Sequence, residues 1–157
     1  MILIPFLSCI KDNSKCNCDL SAIDAQNAKK VSITQGIWGT IGFMEGDCMN
    51  PSNNSCIGFP VKRDVIVYKY TMQNEALPLN AYPPFYDSLT TAKVAETVSD
   101  DDGFYQLKIL PGKYTLTVVE NGKLYINVSD GQNGLNPIAI KVGTQQANLT
   151  LTYKAYF

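Results

Sequence analysis

The stretch that decides the fold is TVSDDDGFYQLKILPGKYTLTVVENG, residues 97–122, in which short apolar runs are separated by turn residues. Its first turn, SDDDG, contains three consecutive aspartates. Side chains such as those of Asp100 and Asp102 accept hydrogen bonds from backbone amides two residues on, and Gly103 can adopt positive φ. A calcium loop would need further oxygen ligands, such as a glutamate after the glycine, whereas Phe-Tyr-Gln follows here. The stretch therefore predicts a turn between two strands and no metal site.

Two further turn signals follow in the same stretch. Pro111 fixes φ for the turn in LPGK, and Gly112 stands where positive φ is expected. ENGK contains an Asn-Gly pair at residues 121–122, which is typical of a type I′ hairpin. Together the three turns predict three consecutive hairpins, which form a β-meander.

Strand patterns extend over most of the chain after residue 35. The last segment, QANLTLTYKAYF at residues 146–157, alternates apolar and polar side chains, as a strand with one solvent-facing side does. Seven or eight short strands with frequent turns and no convincing core helix predict an all-β fold, an antiparallel β-sandwich of about seven strands. Further strand-like runs lie at residues 36–45, 64–71, 92–99, 104–110 and 113–120.

Size and composition narrow the classes of function. The 157 residues are 45% hydrophobic and 17% charged, as in a single globular domain. The net charge is −1 and no basic run occurs, so we expect no nucleic-acid partner. The sequence contains no histidine, which excludes Ser-His-Asp and Cys-His nucleophiles and imidazole-ligated metals. We therefore expect a protein that is not an enzyme and that holds no cofactor or metal.

The N-terminus has the pattern of an exported protein. Residues 1–8 are apolar but too short to span a bilayer, which takes about 20 residues. The sequence FLSC, which ends at Cys9, is similar to a bacterial lipobox, in which the cysteine carries the lipid. The alternative is an ordinary apolar N-terminus with a free thiol. We predict a residual signal segment at residues 1–9 with lipid on Cys9, a flexible tether at residues 10–35 and the sandwich domain at residues 36–157.

The five cysteines fit an exported chain. If Cys9 carries lipid, four thiols remain, and Cys48 and Cys56 bracket MNPSNNS, a segment rich in turn residues. We predict a disulfide between these two cysteines. Cys16 and Cys18 could pair with each other, pair elsewhere or stay reduced. Neither cysteine spacing fits the C-x₂₋₄-C pattern of structural zinc sites.

The central turns also carry a family resemblance. SDDDGFYQL at residues 99–107, followed by LPGKYTL at residues 110–116, resembles the carboxypeptidase regulatory-like domain. GIWGTIGFMEGD, PPFYDSL, LYINVSDG and YKAYF look like further blocks of the bacterial lipoprotein branch of this family. The resemblance covers roughly residues 36–157. It implies a transthyretin-like, or prealbumin-like, sandwich that is itself non-catalytic.

These observations lead to one main functional hypothesis. We expect a non-enzymatic lipoprotein of the bacterial cell envelope, at the outer membrane or periplasmic face, held to the membrane through its lipid. Its sandwich would act as a binding or assembly scaffold for a protein or glycan that the sequence does not identify.

Two alternatives rest on particular side chains. In a carbohydrate-binding module, Tyr82, Phe85 and Tyr86 would stack on sugar rings, although the same aromatics could instead close the end of the sandwich. In an adhesin-type sandwich, an internal amide crosslink would join two strands. The residues for that crosslink would be Lys69, Asn148 and, as the acid, Glu96.

Overall fold

The computed structural model describes residues 20–49, 55–78 and 83–157. Within these ranges the chain forms one α-helix, two short 3₁₀ turns and twelve β-strands. The helix is α1 (Leu20–Asn27), and the 3₁₀ turns are Ala28–Lys30 and Gln73–Glu75. The strands are β1 (Gly36–Asp47), β2 (Ile57–Pro60), β3 (Asp64–Lys69), β4 (Ala76–Pro78), β5 (Phe85–Leu89), β6 (Lys93–Val98), β7 (Phe104–Leu107), β8 (Gly112–Glu120), β9 (Lys123–Tyr125), β10 (Pro137–Ile140), β11 (Thr144–Gln146) and β12 (Leu149–Tyr156).

The strands form two sheets, which confirms the predicted all-β sandwich. In the five-stranded sheet β1 is central: β7 and β11 flank its first half, and β2 and β12 flank its second half. The seven-stranded sheet has the order β4-β5-β9-β8-β3-β6, and β10 also pairs with β8. Most pairs are antiparallel, as predicted, whereas β1 runs parallel to both β11 and β12.

The central strand β1 is covered on both faces. Ile37, Ile41 and Phe43 alternate along it toward the sandwich interior, where all three are buried. Its other face meets α1. A Cβ added at Gly42 would lie 3.0 Å from the Leu20 Cδ1 of α1, so the absence of a side chain there lets the helix approach the sheet.

The main core lies between the two sheets. Tyr105 is the largest fully buried side chain of the described residues, and its hydroxyl donates to the Ala147 carbonyl at 2.5 Å. Burial of each large aliphatic or aromatic side chain contributes about 1.5–3 kcal/mol. The other buried members of this core are Ile37, Ile41, Phe43, Val65, Val67, Leu107, Ile109, Leu116, Val118, Tyr125, Ile140 and Leu151.

A smaller apolar cluster lies on the opposite face of the seven-stranded sheet. Ile66 and Tyr68 of β3 pack against it, whereas Val65 and Val67, which alternate with them, enter the main core. This arrangement explains why β3 reads as a continuous apolar run instead of a simple alternation. The buried members of the smaller cluster are Tyr86, Leu124, Ile126 and Leu135.

The predicted meander is wrong at two of its three turns. β6 and β8 belong to the seven-stranded sheet, but β7 lies between them in sequence and pairs with β1 in the other sheet. SDDDG and the Pro111 segment therefore connect strands of different sheets. Gly112 begins β8 and does not adopt positive φ. Turn residues dictate where the chain bends. The strand with which β7 pairs depends on which side of β1 is open to it, and no local pattern reveals this.

The third turn is the predicted hairpin. Glu120 of β8 pairs with Lys123 of β9, and the two residues between them, Asn121 and Gly122, have φ of 52° and 74°. Positive φ at both central positions is the geometry of a type I′ turn, which matches the right-handed twist of the flanking strands.

The flexible tether predicted for residues 10–35 is wrong for residues 20–35. These residues form α1, a 3₁₀ turn and an extended segment that runs back along β1 and β7. Asn27 is fully buried against the sandwich, and Ser32 N–H donates to Gln106 Oε1 at 3.0 Å. The segment is docked by polar side chains at scattered positions, so it lacks the apolar period that would have predicted packing. Residues 10–19, with Cys16 and Cys18, and Cys9 before them, lie outside the described residues.

Candidate interaction surface

One side chain joins two loops at the end of the sandwich where β1 begins. Gln35 Nε2 donates to the Ile109 carbonyl at 3.0 Å and to the Lys141 carbonyl at 3.1 Å. Gln35 Oε1 accepts from the Gly143 amide at 2.9 Å. Because one side-chain amide forms hydrogen bonds with backbone groups of both loops, the segments 108–111 and 141–143 are held side by side. We call these two segments and Gln35 the Gln35 tip.

Further hydrogen bonds fix the backbone of the tip. Tyr114 donates its hydroxyl to the Leu110 carbonyl at 3.1 Å, and the Lys141 amide donates to Gln145 Oε1 at 2.5 Å. The Gly36 amide donates to the Gly143 carbonyl at 3.1 Å. Each loop is thus tied both to its own strands and, through Gln35, to the other loop, so little conformational entropy remains to be lost on binding.

The tip presents aliphatic and cationic side chains to solvent. Val142 is 88% exposed and Leu110 75%, the two highest values for large apolar side chains in the described residues. Lys108 and Lys141 beside them are exposed, and neither forms an ion pair with a carboxylate of the described residues. Single exposed aliphatics are common on protein surfaces. Two on adjacent, fixed loops between lysines make the tip a candidate contact surface.

A charged cluster stabilises a neighbouring loop on the seven-stranded sheet. Asp130 accepts from the Tyr70 hydroxyl at 2.8 Å, from the amides of Gln132 and Gly134 at 2.9 Å each, and from Lys113 at 3.2 Å. These bonds, that of Tyr70 first, hold the pKa of the Asp130 carboxyl well below its ordinary value. Since the carboxylate is already satisfied, the cluster is a structural link and not a free acid.

The opposite end of the sandwich contains a second, buried carboxylate. Glu120 at the end of β8 is 4% exposed and binds Arg63 Nε. The Tyr153 hydroxyl of β12 donates to Glu120 Oε1 at 2.6 Å, which links the two sheets. Burial opposes ionisation of Glu120, but the bonds from Arg63 and Tyr153 outweigh it, so the pKa of this carboxyl lies below its ordinary value. A surface depression of about 360 Å³ adjoins Tyr153.

The aspartates of the SDDDG turn face a lysine. Asp100 Oδ1 accepts from the amides of Asp102 and Phe104 at 2.9 Å each, and Gly103 has φ of 72°. Lys30 Nζ lies 2.8 Å from a carboxylate oxygen of both Asp100 and Asp102. In the part of the chain that the structure describes, no group of three or more His, Cys, Asp or Glu side chains is placed to hold a metal ion.

The two described aromatic residues proposed for sugar binding, Phe85 and Tyr86, do not form an exposed platform. Tyr86 is 3% exposed and belongs to the smaller apolar cluster. Phe85 is half-buried, with its ring centroid 5.4 Å from that of Tyr125 and 5.1 Å from that of Tyr153. Tyr82 lies outside the described residues. Phe85 and Tyr86 therefore fill the interior, which corrects their assignment as ligand contacts.

The three residues proposed for an amide crosslink are placed apart. Lys69 is an exposed residue of β3 in the seven-stranded sheet, and exposed Glu96 of β6 pairs with Lys93 at 2.8 Å. Asn148 precedes β12 of the other sheet and donates to Asp24 Oδ2 of α1 at 2.6 Å. The structure therefore does not bring Lys69, Asn148 and Glu96 together in a buried site.

The predicted disulfide between Cys48 and Cys56 is confirmed. It lies where β1 ends, and the Cys48 amide donates to the Tyr156 carbonyl of β12 at 2.8 Å. The bridge therefore links the end of β1 to the residue before β2, beside the last strand.

No family model, curated protein or solved structure matches the chain. Among the helices of the described residues, none has the length and apolar character needed to cross a membrane. By its fold, the protein is an all-β sandwich.

The sequence does not single out the tip. Gln35 lies at the edge of a polar segment, and exposed Leu110 and Val142 look like ordinary members of strand-like runs. The only local signal is a pair of loops with Pro or Gly next to an aliphatic residue, which is too common to predict a surface.

Proposed function

We propose that this chain is a non-catalytic, lipid-anchored protein of the bacterial cell envelope whose sandwich binds a partner protein at the Gln35 tip. The observation that carries the binding role is the clamp: one glutamine side chain holds Leu110 and Val142, both strongly exposed, on adjacent loops. A preorganised apolar surface of this kind loses little entropy when a partner covers it.

Several features support the envelope location and the absence of catalysis. The Cys48–Cys56 disulfide fits an oxidising, extracytoplasmic compartment, and the lipobox-like sequence at Cys9 fits lipid attachment. The lack of histidine and the resemblance to the carboxypeptidase regulatory-like domain favour a scaffold over an enzyme.

A protein partner fits the tip better than a glycan does. Sugar sites usually present aromatic faces, whereas the exposed side chains of the tip are aliphatic and cationic. Lys108 and Lys141 favour a partner surface with carboxylates around an apolar centre, because opposite charges at the rim steer association.

Site-specific photocrosslinking in intact cells tests the binding role. A photoreactive amino acid at Leu110 should give an adduct of defined mass, and the same amino acid at Val98, also an exposed aliphatic at 56%, should not. Gln35→Ala should weaken the Leu110 adduct because the loops are no longer held together. Equal adducts from Leu110 and Val98 would contradict the assignment of the surface.

Metabolic labelling tests the anchor independently. A palmitate analogue should label the wild-type chain and leave Cys9→Ala unlabelled. Equal labelling of the two chains, or none of either, would contradict lipid attachment at Cys9.

A further inference from the structure

The end of the sandwich opposite the Gln35 tip also exposes apolar side chains. Met49 is 70% exposed, Tyr156 73% and Phe157 69%, and exposed Lys154 lies beside them on β12. β12 ends next to the end of β1, where Tyr156 pairs with Asp47. We call Met49, Lys154, Tyr156 and Phe157 the Tyr156 end.

The described N-terminal segment points from the Tyr156 end toward the tip. Leu20 packs near Gly42 of β1 and Gly58 of β2, in the half of β1 that ends at Asp47. Farther along the segment, Asn27 bonds Thr40, and Gln35 reaches the tip. The segment thus runs antiparallel to β1. The first described residue, Leu20, thus lies in the half of the sandwich nearer the Tyr156 end, and Gln35 lies at the tip.

Chain length keeps this end within reach of an anchored membrane. Ten residues separate Cys9 from Leu20, so covalent geometry allows at most about 40 Å between them. The twelve residues of β1 span about 40 Å from the tip to the Tyr156 end. Leu20 lies beside Gly42, five residues or about 17 Å along β1 from Asp47, so a lipid on Cys9 can place the Tyr156 end at the bilayer.

We infer that the Tyr156 end rests on the lipid surface and that the Gln35 tip points away from it; this inference depends on the proposed lipid anchor. Tyrosine, methionine and phenylalanine place apolar surface at the boundary between headgroups and acyl chains, and lysine extends its amine to the headgroups. Glu45 and Asp47 lie at the same end of β1 and offset Lys154 in charge. The contact therefore depends on apolar groups, and zwitterionic lipid is sufficient for it.

Tryptophan fluorescence tests the orientation with two matched reporters. The chain contains a single tryptophan, Trp38, so Trp38→Phe provides a background without one. In that background, Tyr156→Trp reports on one end and Leu110→Trp on the other, and both replaced side chains are about equally exposed. The lipidated full chains are reconstituted in phosphatidylcholine vesicles with or without bromine on the acyl chains.

Brominated lipid should quench Tyr156→Trp by about twofold or more, because the reporter must enter the acyl boundary to be quenched, and should leave Leu110→Trp unchanged. Quenching of Leu110→Trp alone, of both reporters equally, or of neither would overturn the inference. Amine footprinting of the wild-type chain gives the same information without substitutions. Vesicles should protect Lys154 and leave Lys108 and Lys141 reactive, and the reverse pattern would again overturn it.

Flotation separates failure of this inference from failure of the proposed function. The wild-type chain should float with the vesicles and Cys9→Ala should not. If the wild type does not float, the anchor is absent, and both the proposed lipid anchoring and this orientation are wrong. If it floats and Tyr156→Trp is not quenched, only the orientation is wrong.

Discussion

Asn27 of α1 donates from its side-chain amide to the Thr40 hydroxyl of β1 at 2.9 Å, and from the same nitrogen to the Asp102 carbonyl at 3.0 Å. Asn27 is fully buried, so these two bonds replace bonds to water that the chain has given up. They join the N-terminal helix, the first strand and the central turn. The helix is therefore part of the folded domain.

Asn27→Ala should lower the free energy of unfolding by about 1–3 kcal/mol, because the Thr40 hydroxyl and the Asp102 carbonyl lose a buried donor. Urea denaturation followed by Trp38 fluorescence measures the loss. Gln26→Ala is the matched control on the same helix: Gln26 is exposed, and its replacement should change stability by less than about 0.5 kcal/mol. Equal losses from the two substitutions would mean that α1 does not contribute to stability through Asn27.

Features encoded by near neighbours in sequence could be predicted, and those encoded across the fold could not. The Asn121–Gly122 hairpin and the alternation of β12 follow from local geometry. The Cys48–Cys56 disulfide follows from a short turn-rich loop. In each case the residues that decide the structure stand within about ten positions of one another.

The predictions that were wrong all involve contacts between residues that are distant in sequence. Lys30 binds Asp100 and Asp102 across 70 and 72 positions, and Gln35 binds Lys141 across 106. A single polar side chain that docks a segment leaves no periodic pattern in the sequence. Residues 20–35 were therefore predicted to form a tether. The parallel pairing of β1 with β12 is likewise set by which strand edge is free once both sheets assemble.

Gln35→Ala should loosen the Gln35 tip locally with little effect on the core. The Gly143 amide, which bonds Gln35 Oε1, should exchange hydrogen faster, since its acceptor is removed and the loop is exposed. Hydrogen exchange measured by mass spectrometry resolves the peptide that contains residue 143. Gln132→Ala, at an exposed position of another loop, should leave that peptide unchanged. Unchanged exchange in Gln35→Ala would show that the clamp is not needed to order the loop.

Acid should destabilise the wild-type protein partly through Asp130. The pKa of this carboxyl in the folded chain lies below the value of about 3.9 for an unfolded aspartate, so its ionised form stabilises the fold above that pH. The stabilisation is lost progressively as the pH falls. Asp130→Asn should therefore be less stable than wild type at pH 7, and the melting temperatures of the two proteins should converge at low pH. Melting temperatures that stay a constant interval apart between neutral and acid pH would exclude this role.

Loss of the disulfide should weaken the end of the sandwich near β12. Replacing both Cys48 and Cys56 with serine opens a loop that spans a sequence separation of 8, which should cost about 2–3 kcal/mol on the chain-entropy model. Denaturation curves with and without reductant measure it. Reductant should shift the wild-type curve toward that of the double variant and leave the double variant unmoved. If reductant also shifts the denaturation curve of the double variant, the loss of stability comes from other cysteines and not from the Cys48–Cys56 bridge.

Tyr153→Phe should remove the only part of Tyr153 that bonds Glu120 while keeping the ring that packs against Phe43 and Phe85. The loss should be about 1–3 kcal/mol, because a buried carboxylate is left with one donor fewer. Glu120 lies on β8 and Tyr153 on β12, so the substitution weakens a link between the two sheets. Tyr156→Phe makes the same chemical change at an exposed position and should be nearly neutral. If the two variants unfold at the same urea concentration, the Glu120 carboxylate does not depend on Tyr153, and its bond with Arg63 alone is sufficient to keep it ionised in the interior.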